Sequence, residues 1–163
     1  MCFLIFDATR EFDSQVQNIF WLAEKNNKGI VILVNKWDLV KKSTRTIDDF
    51  INKIKKRIEP FDDVPIIFIS SINKQRIHKA IEKGIHVFKN RVKKIITRDL
   101  NTDLLEVINN TPPPSIKGKI INIKFCTQLP GPYPQFAFFC NLPQYIKENY
   151  RRFLENKIRD IYD

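Results

Sequence analysis

Apolar runs and helical repeats alternate along the first part of the chain. Three short segments, residues 2–6, 30–34 and 64–69, are apolar almost throughout, as is typical of strands buried on both faces. Each precedes a segment with helical spacing: 12–23, opened by Asp13 or Ser14; Thr46–Ile58; and a long helix through Ile77, Ile81, Ile85, Phe88, Val92 and Ile95. Such strands alternating with helices indicate parallel β-α units. We therefore predict an α/β fold with a parallel sheet over residues 1–97.

The pattern changes after about residue 98. A short helix is predicted over 100–109, opened by Asn101 or Thr102, and three consecutive prolines at 112–114 then stiffen the chain. Two alternating strands follow at 119–125 and 135–140. Pro143 is predicted to begin a last helix, whose inward residues are Ile146, Tyr150, Phe153, Leu154, Ile158 and Ile161. This α-β-β-α order predicts a second, α+β domain over 98–163.

The net charge of the chain suggests a class of binding partner. The 163 residues carry a formal net charge of +10, which favours a polyanion, with nucleic acid first and an anionic membrane second. Basic residues concentrate in 79–98 and near the C-terminus. The candidates for RNA contact are Lys89, Arg91, Lys93, Lys94, Arg151 and Arg152. The alternative is a solvated helix face in a lysine-rich protein.

Several classes of protein are excluded. No run of 18 apolar residues exists, so we predict no spanning helix and no membrane partner, and the start lacks the basic region of a signal peptide. Three widely spaced cysteines give neither a disulfide framework nor a zinc site and fit a reducing cytoplasm. His78 and His86 have no acid or cysteine at metal-ligand spacing, so we predict no metal site.

The strongest chemical signal is the run Asn35-Lys36-Trp37-Asp38, directly after the second apolar strand. This position is the carboxyl end of a parallel strand, where α/β folds bind ligands. N-K-x-D is the guanine-reading motif of Ras-like GTPases. A carboxylate accepts two hydrogen bonds from the N1–H and N2–H₂ donors of guanine, which adenine lacks. The Asn amide can tie neighbouring loops together, and the Lys stem lies along the purine plane.

A second loop supports this interpretation. One β-α unit later, the third strand ends in Ser70-Ser71-Ile72, in the place of the S-A-L/K loop whose backbone N–H meets guanine O6. The predicted guanine-binding residues are therefore Asn35, Lys36, Asp38, Ser70, Ser71 and Ile72. The alternative is an Asx turn, in which the Asp38 carboxylate bonds to the local backbone.

The phosphate-binding half of such a site is absent from the sequence. There is no G-x-x-x-x-G-K-[ST] to cradle phosphates and no D-x-x-G after a strand to help hold Mg²⁺. Asp7 ends a strand, but no glycine lies three residues on.

The order of motifs resembles the Der (EngA) family of bacterial GTPases, which have two tandem G domains and a C-terminal KH-like domain. The resemblance rests first on N-K-W-D-L-V at 35–40, Asp7-Ala8 with Gln15, and F-I-S with Q-R-I at 68–70 and 75–77. It continues through P-P-P, K-G, T-Q, N-x-P and Y-R-R-F-L-E-N at 112–114, 117–118, 127–128, 141–143 and 150–156. Arg10-Glu11 and Asn73-Lys74 depart from the family pattern.

This resemblance implies a partial Ras-like P-loop NTPase sheet, the second half of a G domain, over 1–97. It implies a KH-like domain over 98–163 without its last strand. For the intact protein it implies GTP or GDP binding with Mg²⁺, GTP hydrolysis, and assembly of the large ribosomal subunit through ribosomal RNA. We expect this chain alone not to hydrolyse GTP and assign it no catalytic residue. If the chain is truncated, the remainder of the G domain is an expected partner.

Two alternatives remain at this point. The chain is a non-catalytic RNA-binding fragment with a vestigial guanine pocket, or it does not fold alone because its sheet edges are unpaired. The four glycines form no G-x-x-G, which argues against standard KH base recognition.

Overall fold

The computed structural model describes residues 1–41, 46–116 and 118–162. The chain forms two compact units, Met1–Arg91 and Val92–Asp163. The sequence-based boundary lies six residues later, at 97/98. Lys117, part of the K-G motif, lies outside the described residues.

The first unit is a three-stranded parallel sheet with helices between its strands. Its elements are β1 (Cys2–Asp7), α1 (Ser14–Lys25), β2 (Ile30–Asn35), α2 (Thr46–Ile58), β3 (Ile66–Phe68) and α3 (Ile77–Val92), the last ending on the first residue of the second unit. The strand order is β1-β2-β3, with Leu4 opposite Ile32 and Ile32 opposite Ile66. The predicted parallel β-α order is therefore confirmed, although β3 is shorter than expected.

Asp13 begins the first helix, as predicted. Its carboxylate accepts a hydrogen bond from the Val16 amide at 2.9 Å, which satisfies one of the amides at the helix start that have no partner within the helix. The helix then buries Phe20, while Ile19, on the predicted apolar face, is 48% exposed.

The central strand β2 is buried on both sides, which accounts for its uninterrupted apolar sequence. One side packs with α1 and α2 in a cluster that includes Phe20, Ile54 and Ile58. The other side packs with α3 through Val31, Leu33, Ile67, Ile69 and Ala80.

The apolar stripe predicted for α3 is mostly exposed. Ile81, Ile85, Phe88 and Val92 are each about half exposed, and α3 instead buries Ala80 and Gly84. Phe3 packs over Gly84, where a Cβ atom would collide with its ring. The reason is that β1 is an edge strand among the described strands, and none of them lies under the outer side of the stripe.

The second unit pairs a two-stranded sheet with two helices. Its elements are α4 (Thr97–Asn110), β4 (Ile123–Leu129), β5 (Gln135–Cys140) and α5 (Glu148–Tyr162). The strands are antiparallel, with an irregularity between Ile123 and Phe125. The core contains Leu100, Leu104, Cys126, Leu154 and Ile158. The predicted α-β-β-α order is confirmed.

Three boundaries in this unit differ from prediction. The helix α4 begins at Thr97 rather than 100, so Asn101 lies inside it, where its amide bonds to the Thr97 and Cys126 carbonyls. The strand β4 covers 123–129 rather than 119–125. Pro143 opens only a 3₁₀ turn, and α5 begins at Glu148. Ile161, predicted to face inward, is 39% exposed.

Within the described parts of the chain, no helix is both long and apolar enough to cross a membrane.

Candidate functional site

The N-K-x-D run lies at the carboxyl end of the central strand, as predicted. Asn35 is the last residue of β2, and residues Trp37–Leu39 form a 3₁₀ turn. Lys36 links Asn35 to this turn. Its backbone lies in the left-handed region with φ of 59°, a conformation that is unfavourable for a residue with a Cβ atom. The chain therefore turns sharply where β2 ends.

Trp37 anchors this turn in the core. Its side chain is 2% exposed, and its ring centroid lies 4.3 Å from that of Phe68 and 5.2 Å from that of Phe50. Its backbone amide donates to the Ile69 carbonyl at 3.1 Å. Because Trp37 is fixed in this way, its neighbours Lys36 and Asp38 are held at the surface of the sheet edge.

Asn35 joins the turn to the loop after β3. Its Oδ1 accepts hydrogen bonds from the Ser71 amide at 3.1 Å and the Ser71 hydroxyl at 2.9 Å. The structure thus brings together the two loops that the sequence proposed as one site.

The three residues of the second loop have different environments. The Ser70 side chain is fully buried and its Oγ accepts from the Asn73 amide at 3.2 Å, so it holds the loop rather than facing a ligand. Ile72 is 81% exposed, and its amide has no hydrogen-bond partner within the described parts of the chain. The Ile72 N–H is therefore the available backbone donor of this loop.

Asp38 is half-buried, and its carboxylate makes no hydrogen bond or ion pair with any described residue. The alternative of an Asx turn, in which this carboxylate would bond to local backbone, is therefore not what the structure has. An available carboxylate at the end of a buried strand is chemically suited to a ligand with paired N–H donors.

Lys36 has its own partner on β1. Its Nζ lies 2.7 Å from Asp7 Oδ2. The hydrogen bonds from Lys36, then from the amide and hydroxyl of Thr9, lower the pKa of Asp7 from 3.8 to about 2. The motif alone did not identify Asp7 as this partner. The pairing follows from the strand register, in which Asp7 lies opposite Asn35, and that register is known only from the folded chain.

The six predicted RNA-contact residues differ in whether their side chains already contact other residues of the chain. The Arg91 guanidinium donates to the Asn27 carbonyl, and Lys93 Nζ donates to the Tyr162 carbonyl at 3.0 Å. Arg151 and Arg152 both lie near Glu148, at 4.0 and 3.8 Å. Lys89 and Lys94 are exposed and have no ion-pair partner among the described residues. They are the two most available cations of this set.

Sequence reasoning missed an open groove on the second unit, about 660 Å³ in volume. Its lining residues are Thr97, Arg98, Asn101, Thr102, Leu105, Glu106, Asn109, Asn110, Lys124 and Phe125. Phe125 pairs with Phe139 across the strands at 5.6 Å. Phe136 and Phe138 face the core, which agrees with the predicted alternation.

Within residues 1–41, 46–116 and 118–162, no group of three or more His, Cys, Asp or Glu side chains is placed to hold a metal ion.

The first unit, with its parallel β-α units, belongs to the class of GTP-binding domains, since residues 1–114 match the family described as the Elongation factor Tu GTP binding domain. Residues 94–163 match the family described as KH-domain-like of EngA bacterial GTPase enzymes, C-terminal. The chain belongs to the Der (EngA) family.

Similar proteins include the GTPase Der of Christiangramia forsetii, 60% identical over the whole chain, and that of Flavobacterium psychrophilum, 56% identical. The GTPase Der of Bacteroides fragilis is 52% identical. The chain spans 37 to 38% of the length of these relatives.

Proposed function

We propose that this chain binds the guanine base of GTP or GDP. The observation that supports this most is the half-buried Asp38 carboxylate, which has no partner among the described residues although its loop is held from both sides. The relatives are named as GTPases, which is consistent with such a ligand.

The roles of the residues follow from their chemistry. The Asp38 carboxylate accepts from the N1–H and N2–H₂ groups of guanine and so rejects adenine. The Ile72 N–H donates to the guanine carbonyl. Asn35 and Ser71 join the two loops, and the Lys36 stem lies along the base.

This chain alone is proposed to bind guanine nucleotides weakly and not to hydrolyse GTP. Phosphates supply much of the affinity of GTP-binding proteins through a glycine-rich loop, and the sequence has none. Hydrolysis and Mg²⁺ binding are therefore proposed for the intact relatives rather than for this chain.

We infer that the remainder of a G domain covers the outer side of the first unit. Ile81, Ile85 and Phe88 of α3, together with Phe3 and Ile5 of the edge strand β1, are 41 to 56% exposed. Contiguous exposed apolar side chains beside an unpaired strand edge are typical of an interface. The greater length of the relatives is consistent with such a covering segment.

We also propose that the protein acts in the cytoplasm on ribosomal RNA during assembly of the large ribosomal subunit. The net charge of +10 supports an anionic partner. Lys89 and Lys94 are exposed and have no ion-pair partner among the described residues, so they are suited to contact phosphates. Such contacts make the affinity fall steeply with salt. The available Asp38 carboxylate favours a functioning base pocket over a vestigial one.

The test is a titration of the isotope-labelled chain with GDP, IDP and ADP, followed by nuclear magnetic resonance. IDP lacks the 2-amino group of guanine, so GDP should bind about tenfold more tightly than IDP. Asp38→Ala should cost about 1–3 kcal/mol of GDP binding and abolish that preference. Asp62→Ala, at an exposed carboxylate, is the matched control. Equal binding of all three nucleotides would reject the proposed function.

A further inference from the structure

The end of β1 is joined to the N-K-x-D loop by backbone as well as by side chains. Asp7 lies opposite Asn35 in the strand register, and the Ala8 amide donates to the Asn35 carbonyl at 2.8 Å. The residue before Lys36 is thus fixed to β1 on one side, while Ser71 fixes it on the other. Any group at the tip of β1 is therefore at a defined distance from the loop.

The Lys36 side chain connects the N-K-x-D loop to β1. The backbone of Lys36 is left-handed, with φ of 59°, and its Nζ reaches Asp7 Oδ2 at 2.7 Å. Lys36 forms no other ion pair within the described residues. The aliphatic stem therefore extends between the loop and β1 instead of moving freely in water, although 48% of the side chain is exposed.

Contacts other than the one with Lys36 also hold the Asp7 carboxylate in place. Its other oxygen, Oδ1, accepts from the Thr9 amide at 2.9 Å and from the Thr9 hydroxyl at 2.8 Å. One oxygen thus holds the carboxylate in place, and the other holds the ammonium group. These hydrogen bonds, from Lys36 and then from Thr9, lower the pKa of Asp7 from 3.8 to about 2.

We propose that Asp7 is a positioning residue for guanine-nucleotide binding, which acts by holding the Lys36 stem extended beside the base pocket. A free lysine would have to be ordered when the base binds, which costs conformational entropy, whereas the paired lysine is ordered in advance. This proposal rests on the proposed function, because it gives Asp7 a role at the same pocket. Asp7 is thereby added to the residues proposed for the pocket, although it does not itself contact the base.

The test is a double-mutant cycle in the full 163-residue chain, with GDP and IDP affinities measured by nuclear magnetic resonance titration. Asp7→Asn should weaken GDP binding about twofold to fivefold. Lys36→Met keeps an apolar stem but loses the ammonium group. On that background, Asp7→Asn should have no further effect, because Asp7 acts through Lys36. The preference for GDP over IDP should stay unchanged, since Asp38 determines it.

Asp7→Glu is the conservative variant and should recover part of the affinity by keeping the charge. Thr9→Val is the matched control, since it removes one hydrogen bond to Asp7 and leaves the ion pair. Wild-type affinity in Asp7→Asn would overturn the role of Asp7. Equal losses from Asp7→Asn with and without Lys36→Met would also overturn it, because they indicate an effect on the fold.

The failure of this inference is distinguishable from failure of the proposed function. A wild-type chain that prefers GDP, with an Asp7→Asn variant of equal affinity, overturns the role of Asp7 alone. A wild-type chain that binds GDP, IDP and ADP equally overturns both.

Discussion

Ser71 contacts Asn35 twice, with its amide nitrogen 3.1 Å and its hydroxyl oxygen 2.9 Å from the same Asn35 Oδ1. An alanine at this position would make only the first contact. The hydroxyl therefore adds a second link between the loops that follow β2 and β3, at the place where the base pocket is proposed.

Replacing Ser71 with alanine should loosen this link without breaking it. The amide bond to Asn35 remains, so we expect a loss of about 1 kcal/mol in the free energy of unfolding and a small increase in the Kd for GDP. Urea unfolding and GDP titration measure the two effects. Ser115→Ala, at an exposed position, is the control and should change neither. A loss no greater than that of Ser115→Ala would mean that the hydroxyl bond contributes nothing.

The ion pair of Asp7 predicts a specific pH dependence of stability. Because the folded-state pKa is lowered from 3.8 to about 2, the pair contributes fully above about pH 4, and its contribution is lost as the pH falls toward 2. The difference in unfolding free energy between wild type and Asp7→Asn should therefore be constant above pH 4 and shrink below it. Urea unfolding from pH 7 to pH 2 measures this difference. Asp62→Asn is the control, and a difference for Asp7→Asn that stays constant down to pH 2 would contradict the prediction.

The exposed stripe of α3 predicts self-association of the isolated chain. Ile85→Lys should reduce aggregation in light scattering and change the free energy of unfolding by less than about 0.5 kcal/mol, because Ile85 is already 49% exposed. Ile54→Ala is the contrasting variant. Ile54 is 1% exposed, and its truncation should cost about 2–5 kcal/mol. Similar destabilisation by both changes would mean that Ile85 is buried in solution.

The three cysteines should differ in reactivity. Cys126 is fully buried, and burial raises the pKa of its thiol to about 11, whereas Cys2 and Cys140 are half-buried. A chain with Cys2→Ser and Cys140→Ser should react with a thiol reagent at pH 8 only as fast as it unfolds. Its labelling rate should rise with urea. Rapid labelling in native buffer would show that the core around Cys126 opens without unfolding.

Local patterns were sufficient to predict the order of elements in this chain. The buried strand β2, the cap at Asp13 and the helix Thr46–Ile58 follow from residue types and spacing within a few positions. The position of Asn35 and Asp38 at a strand end follows in the same way, because the motif comes directly after an uninterrupted apolar run. The sequence by itself therefore determined the class of fold and the place of the candidate site.

Only the tertiary structure decided which side chains meet. The stripe of α3 is exposed because strand order puts β1 at an edge, and no local pattern contains strand order. Asn101, expected from sequence to cap a helix, lies inside α4 and bonds to Cys126 across the fold. The pairs Asp7–Lys36 and Asn35–Ser71 join residues that are 29 and 36 positions apart. Such partners depend on which strands lie side by side, and that is a property of the folded chain.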